Sequence, residues 1–84
     1  MSDLNTQFTK AAEDVQNLSQ SPDNDVLLKL YAFYKQGTKG DASGKRPGFT
    51  SPVKRAKFDA WAGLKGQTQD NAMQSYVDLV TSLT

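Results

Sequence analysis

Apolar residues return at steps of three and four through most of this chain, and nowhere do they alternate convincingly with a period of two. That pattern confines the fold to helices. Leu4, Phe8, Ala11, Ala12, Val15 and Leu18 make the first stripe, with Gln7, Lys10, Glu13, Asp14 and Asn17 opposite. Asp3 or Ser2 can cap its N-terminus. Ser19 to Asn24 is a polar linker, and Ser21-Pro22 reads as a cap followed by proline at the first helical position. A second helix is predicted from about Asp23 to Thr38. Its Val26, Leu27, Leu30, Tyr31, Phe33 and Tyr34 cover more than one face, so it packs on neighbours at two sides, or on neighbours and a ligand. Gly40 is its stop signal.

Lys39 to Pro52 is a glycine-, proline- and serine-rich connection, longer than most between helices, and loops of that length are usually functional or disordered. Arg46-Pro47-Gly48 shapes it, proline by fixing φ and glycine by permitting what other residues resist. Ser51-Pro52 opens a third helix with Phe58, Trp61 and Leu64 inward, ended by Gly66. Thr68 caps a fourth, whose stripe is Ala72, Met73, Tyr76, Val77, Val80 and Leu83. The expected fold is all-α, four helices with a long loop between the second and third.

Eighty-four residues leave room for one hydrophobic core, so residues 1–84 are expected to form a single domain. The chain has neither cysteine nor histidine, which removes thiolate chemistry, disulfides, the commonest general base and the commonest metal ligand. Asp41 and Asp59 lack a second carboxylate partner, and nothing is present to activate the serines and threonines. An enzyme is therefore the poorest fit, and no cofactor is expected. The polar start has no basic stretch leading into an apolar one, and no apolar run approaches the ~18–20 residues of a membrane span. The expectation is a soluble, cytoplasmic protein.

Charge is concentrated in the middle of the chain. From Lys35 to Lys57 there are seven cations (Lys35, Lys39, Lys45, Arg46, Lys54, Arg55, Lys57) against one acid, Asp41, a local +6 in a chain of net +1. An anion is the natural partner. Tyr31, Tyr34 and Lys35 stand at i, i+3 and i+4 and share one helix face. Two phenols beside an ammonium suit a ligand that carries both an aromatic ring and a phosphate, although aromatics at helical spacing also serve as ordinary core.

Leu-Tyr-x-x-Tyr-Lys-Gln at 30–36, Thr-x-Gly-Asp at 38–41, Arg-Pro-Gly at 46–48, Lys-x-Asp-Ala-Trp at 57–61 and Leu-Lys-Gly at 64–66 occur in that order. Together they resemble the acyl-CoA-binding protein family, in register from about Phe8 to Val80. The resemblance implies a four-helix fold that binds long-chain acyl-CoA and ferries it within the cell. It implies that Lys35 and Lys57 hold the ribose 3′-phosphate of coenzyme A, with Tyr31 donating its hydroxyl to the same group. Tyr34 would carry the adenine, and Tyr76 would close over the nucleotide end. A phosphate dianion is well served by charge-assisted donors arriving from two helices. Lys54 and Arg55 fit the pyrophosphate or plain solvation equally well. Phe8, Ala12, Val15, Leu28 and Phe49 are the candidates for lining the acyl chain, with ordinary core as the competing role, above all for Val15. Trp61 reads as core, since an inward tryptophan needs no ligand to explain it.

Five positions depart from the family pattern. Gly37 replaces the usual alanine and is expected to loosen the end of the second helix. Phe58 stands for a frequent tryptophan, Gln16 for a common basic residue, and Pro52-Val53 for different residues ahead of the third helix, where acyl-chain contacts are in question. The implied partner is the small-molecule thioester, with passing contact at membranes, no nucleic acid, and a monomeric chain. A basic-aromatic nucleic-acid-binding domain is the first alternative, opposed by the near-neutral overall charge. A helical protein-interaction module is the second, and it leaves the Tyr-x-x-Tyr-Lys cluster without a purpose.

Overall fold

The computed structural model describes residues 3–84 as four helices: α1 (Leu4–Gln16), α2 (Asn24–Lys39), α3 (Pro52–Ala62) and α4 (Gln69–Leu83). Among the described residues there is no strand. Three of the four helices begin with a side chain taking up a free backbone donor. The Asp3 carboxylate accepts the Thr6 N–H at 2.7 Å, that of Asp23 accepts the Val26 N–H at 3.0 Å, and the Thr68 hydroxyl oxygen accepts the Asn71 N–H at 3.0 Å. Ser2, the other candidate cap of α1, lies outside the described residues.

The α2 cap corrects the expectation from Ser21-Pro22. Asp23 caps as strongly as serine does and sits at the right spacing from Val26, which leaves Pro22 outside the helix. Leu18 also falls outside α1, because Asn17 closes that helix, its N–H donating to Asp14 O and its amide to Glu13 O. At the end of α2, Gly40 turns the chain with φ +80°, as its stop-signal reading requires. The third helix ends at Ala62 rather than Gly66. Residues 63–66 continue as turns, closed at Gly66 with φ +94°.

Helix α4 lies in the middle, with α1 and α2 packed on it, and α3 packed on the far side of α2. This row makes a flattened body of 43 × 29 × 14 Å. Its radius of gyration, 13.0 Å, exceeds the ~12 Å of a rounder chain of this length. The core is correspondingly small. Phe8, Ala11, Leu30, Tyr76 and Val80 are buried together, with Ala12, Val15, Val26, Phe33, Met73 and Val77 packed against them. Gly37 is buried where α2 meets α4, and a methyl group there would stand 3.0 Å from Met73 Cγ and 3.5 Å from Phe8. The helix runs on past it to Lys39. Gly37 therefore allows a close helix contact and does not loosen the end of α2.

Two polar ties hold the loops. Gln36 is fully buried, its amide donating to Asp41 Oδ1 at 2.8 Å and to Gln67 O at 2.9 Å. Asp41 Oδ1 also accepts the Gly66 N–H at 2.9 Å, so one carboxylate joins the end of α2 to the turn before α4. Trp61 is core as expected, and its indole N–H donates to Gly40 O at 2.8 Å.

The Gly66 N–H, and then the Gln36 amide, hold the Asp41 carboxyl below its usual range; the Arg46 pair does the same for Asp59. A depressed carboxylate stabilises the fold above its unfolded pKa of about 3.9 and loses that contribution as pH falls through the lower folded value. Asp41→Ala is therefore expected to lower the thermal midpoint near neutral pH, with the gap to the parent closing below about pH 4. A gap of constant size down to strongly acid pH would show that the Asp41 charge contributes nothing.

Candidate functional site

Helix geometry places Leu27, Leu28, Tyr31 and Lys35 on one side of α2, with Tyr34 at the edge of that strip where α2 meets Phe8 of α1 and Tyr76 of α4. The N-terminal part of this strip borders a groove between α2 and α3. Asn24, Leu27 and Leu28 form one wall, Pro52, Val53, Ala56 and Lys57 the other, around a volume of about 390 Å³. Apart from Asn24 and the lysine head, the lining is apolar. Leu28 and Lys35 are seven residues apart, so the groove and the charged end of the strip are separated by only ~10 Å along the helix.

At that charged end the two helices bring ammonium groups to one phenol. Lys35 Nζ lies 5.7 Å from the Tyr31 ring centroid and Lys57 Nζ 5.5 Å from it, within the reach of a cation–π contact. Lys35 Nζ is also 5.7 Å from the Trp61 ring. Among the described residues the ion pairs are Lys10–Asp14 and Arg46–Asp59, so neither of these lysines has a carboxylate partner. Two like charges gathered on aromatic faces without a counter-charge repel each other, and a bound anion relieves that repulsion. Lys57 of α3, distant in sequence, is thus brought to Tyr31 and Lys35 of α2.

Tyr34 lies beside this cluster and faces α1. Its ring stacks on Phe8 at 5.3 Å with 26° between planes, and it remains 42% exposed. Tyr76, by contrast, is only 4% exposed, edge-on to Phe8 at 5.1 Å and 5.8 Å from Tyr34. Burial, and then the neighbouring Tyr34 phenol, push the Tyr76 hydroxyl above the usual tyrosine range, so it stays neutral. Tyr76 meets the surface through Tyr34, not through an open face of its own.

The acyl-chain candidates separate. Leu28 lines the groove. Phe8, Ala12 and Val15 belong to the core of α1, α4 and α2, away from it, and Phe49 stands in solvent at 81% exposure. Leu27, from the apolar set that covers more than one face of α2, and Val53, from the departure where acyl-chain contacts were in question, also line the groove, with Ala56, which the sequence did not single out. Lys54 is exposed, while Arg55 is half-buried with its Nε shut from solvent and without a hydrogen-bond partner. Asp59 is engaged by Arg46 through two hydrogen bonds of 2.7 and 2.6 Å, which staples the long loop to α3. Among the described residues no set of carboxylates clusters as a metal site, and no helix is long and apolar enough to cross a membrane.

The chain matches the family model described as Acyl CoA binding protein over residues 5–80. It is 44% identical over 80 residues to an acyl-CoA-binding protein of Brassica napus, covering 95% of this chain and 87% of the relative. It is 47% identical over 76 residues to acyl-CoA-binding protein homolog 1 of Caenorhabditis elegans, covering 90% and 88%. The crystal structure of Oryza sativa acyl-CoA-binding protein 2 superposes with a TM-score of 0.91 at 35% identity, covering 95% of this chain and 87% of that one.

Proposed function

The chain belongs to the acyl-CoA-binding protein family, and from that premise we propose that it binds long-chain fatty acyl-CoA thioesters as a non-enzymatic, monomeric, cytoplasmic carrier. The observation that carries the reading is Lys57, which walls the apolar groove while its ammonium stands over the Tyr31 ring that Lys35 also approaches. One residue joins an apolar slot to a cationic end, the complement of a ligand with a fatty tail and a phosphorylated head.

In this reading the 3′-phosphate takes charge-assisted hydrogen bonds from Lys35 and Lys57 and one from the Tyr31 hydroxyl. The adenine lies on the free face of Tyr34, whose other face rests on Phe8, with Tyr76 supporting the pair from below. A base on an aromatic ring contributes ~1–3 kcal/mol in nucleic-acid complexes. The acyl chain enters between Leu27 and Leu28 on one side and Val53 and Ala56 on the other. Exposed Lys54 would be the cation for the pyrophosphate, Arg55 being half-buried with its Nε shut from solvent. The thioester is cargo: it is withheld from water and membranes, not turned over.

Calorimetry with palmitoyl-CoA, free coenzyme A, palmitate and a short oligonucleotide tests the reading. Tight palmitoyl-CoA binding is expected, with weak coenzyme A binding and none of palmitate. Salt-sensitive oligonucleotide binding without palmitoyl-CoA binding would replace it with the nucleic-acid alternative. Within a series of acyl chains, each buried methylene is expected to improve affinity by up to about fourfold, from ~0.8 kcal/mol each, until the groove is full. Equal affinity for short and long chains would remove the tail from the groove.

A further inference from the structure

The large exposed apolar side chains of this protein are not evenly scattered. Of the four among the described residues, Tyr34 is 42% exposed beside Phe8, while Val53 at 66% and Leu27 at 44% line the α2–α3 groove and Phe49 at 81% stands three residues ahead of Pro52, which is part of its wall. Val53 and Leu27 face each other across the groove. Phe49 sits four residues before Val53, in the turn closed by the Ser51 N–H on Gly48 O that leads into α3. Nothing in the fold covers it.

Cations surround this patch. Between residues 45 and 57 stand Lys45, Arg46, Lys54, Arg55 and Lys57 without a single acid. Arg46 is engaged by Asp59, which leaves Lys45, Lys54 and Lys57 as exposed ammonium groups without a carboxylate partner. In sequence, Asp23 and Asp25 flank Asn24 on the α2 wall, and Asp59 on α3 is taken up by Arg46. The loop and α3 side is therefore apolar at its tip and positive at its flanks. That combination suits an interface in which apolar groups enter a hydrocarbon boundary while lysines reach anionic headgroups. A folded protein partner would need a larger apolar area than one aromatic and two aliphatic side chains supply.

We propose that the loop tip at Phe49, with Val53, Leu27 and the flanking lysines, docks reversibly on an anionic lipid surface and presents the groove mouth to the leaflet. The purpose of the contact rests on the acyl-CoA reading, because an acyl chain could then pass from leaflet to groove without crossing water. The contact itself does not depend on that reading. One aromatic tip and a few lysines make a weak, salt-sensitive anchor, which suits a carrier that must leave again.

Two measurements keep the docking and the ligand reading apart. The first is flotation of the full chain with ligand-free phosphatidylcholine vesicles, with and without phosphatidylserine. The second is calorimetry of palmitoyl-CoA in solution. Binding to the phosphatidylserine vesicles is expected, with weak or no binding to the neutral ones. Phe49→Ser is expected to lower vesicle binding by about tenfold or more, and the Lys45→Glu, Lys54→Glu pair to abolish the preference for anionic lipid. Phe49 touches neither core nor groove, so Phe49→Ser should keep the parent's thermal midpoint and solution affinity. Equal binding to both vesicle types, or a Phe49→Ser chain that floats like the parent, overturns the docking whatever the solution affinity. Vesicle binding in a chain that takes no palmitoyl-CoA from solution upholds the docking and overturns the carrier reading instead.

Discussion

Replacing both Lys35 and Lys57 by alanine is expected to weaken palmitoyl-CoA binding by about a hundredfold, and either change alone by about tenfold. A hydrogen bond to a charged group contributes about 1.5–3 kcal/mol, and a tenfold change in affinity is about 1.4 kcal/mol. The lower end is appropriate because Lys57 is exposed and screened by solvent. The same substitutions bear differently on the empty protein. With neither lysine in an ion pair among the described residues, the two ammoniums beside Tyr31 repel each other, so neutralising one should leave the thermal midpoint unchanged or raise it slightly. Calorimetry and thermal unfolding of the same variants separate the effects. Affinity within twofold of the parent in the double variant would sink the proposed phosphate site.

The second large effect concerns stability. Phe8→Ala is expected to cost about 3–5 kcal/mol, the usual range for removing a buried aromatic ring. An 84-residue chain has only about 4–12 kcal/mol in all, from ~0.05–0.15 kcal/mol per residue. Each kilocalorie shifts the midpoint of a domain this size by about 4–8 °C, so the variant should be partly unfolded near room temperature. The cost is high because this one ring touches three helices. It lies on α1, stacks on Tyr34 of α2, and meets Tyr76 of α4 edge-on. Phe8→Leu keeps much of the volume and should lose less. Urea unfolding that places Phe8→Ala within about 1 kcal/mol of the parent, the cost of an average point mutation, would contradict the burial of this ring.

Tyr34 also links fold to site, since the ring proposed to carry the adenine rests on Phe8. A double-mutant cycle between Phe8 and Tyr34 in the folded range reads that coupling directly.

The helices were legible because burial of one stripe per helix imposes its period on the sequence, and the glycine at 40 and threonine at 68 act locally. The cluster of Tyr31, Lys35 and Lys57 could be named only through resemblance, because residues 35 and 57 meet through the packing of α3 on α2. Ser21-Pro22 misled for a local reason: two good caps stood in a row, and the choice of Asp23 depends on where Val26 must point. The groove was harder. Ala56 reads as a routine helix residue and Leu27 as one of several apolar positions on α2, and only the separation of α2 from α3 turns them into walls. Gln36 stands in the motif at 30–36, but nothing in the sequence pointed to its burial. A glutamine in a helix reads as solvent-facing, and its burial is created by Asp41 and by Gln67, 31 residues away.

Trp61 is the chain's sole tryptophan, so every photon of indole emission comes from a ring held by its N–H on Gly40 O with the Lys35 ammonium 5.7 Å from its centroid. Indole emission responds to the field of a nearby charge. An anion that draws Lys35 away from the ring, or neutralises it in place, therefore changes the colour of the protein's own fluorescence. The position that secures the end of α2 is also an optical gauge of whether the neighbouring cations are occupied, and it needs no added label.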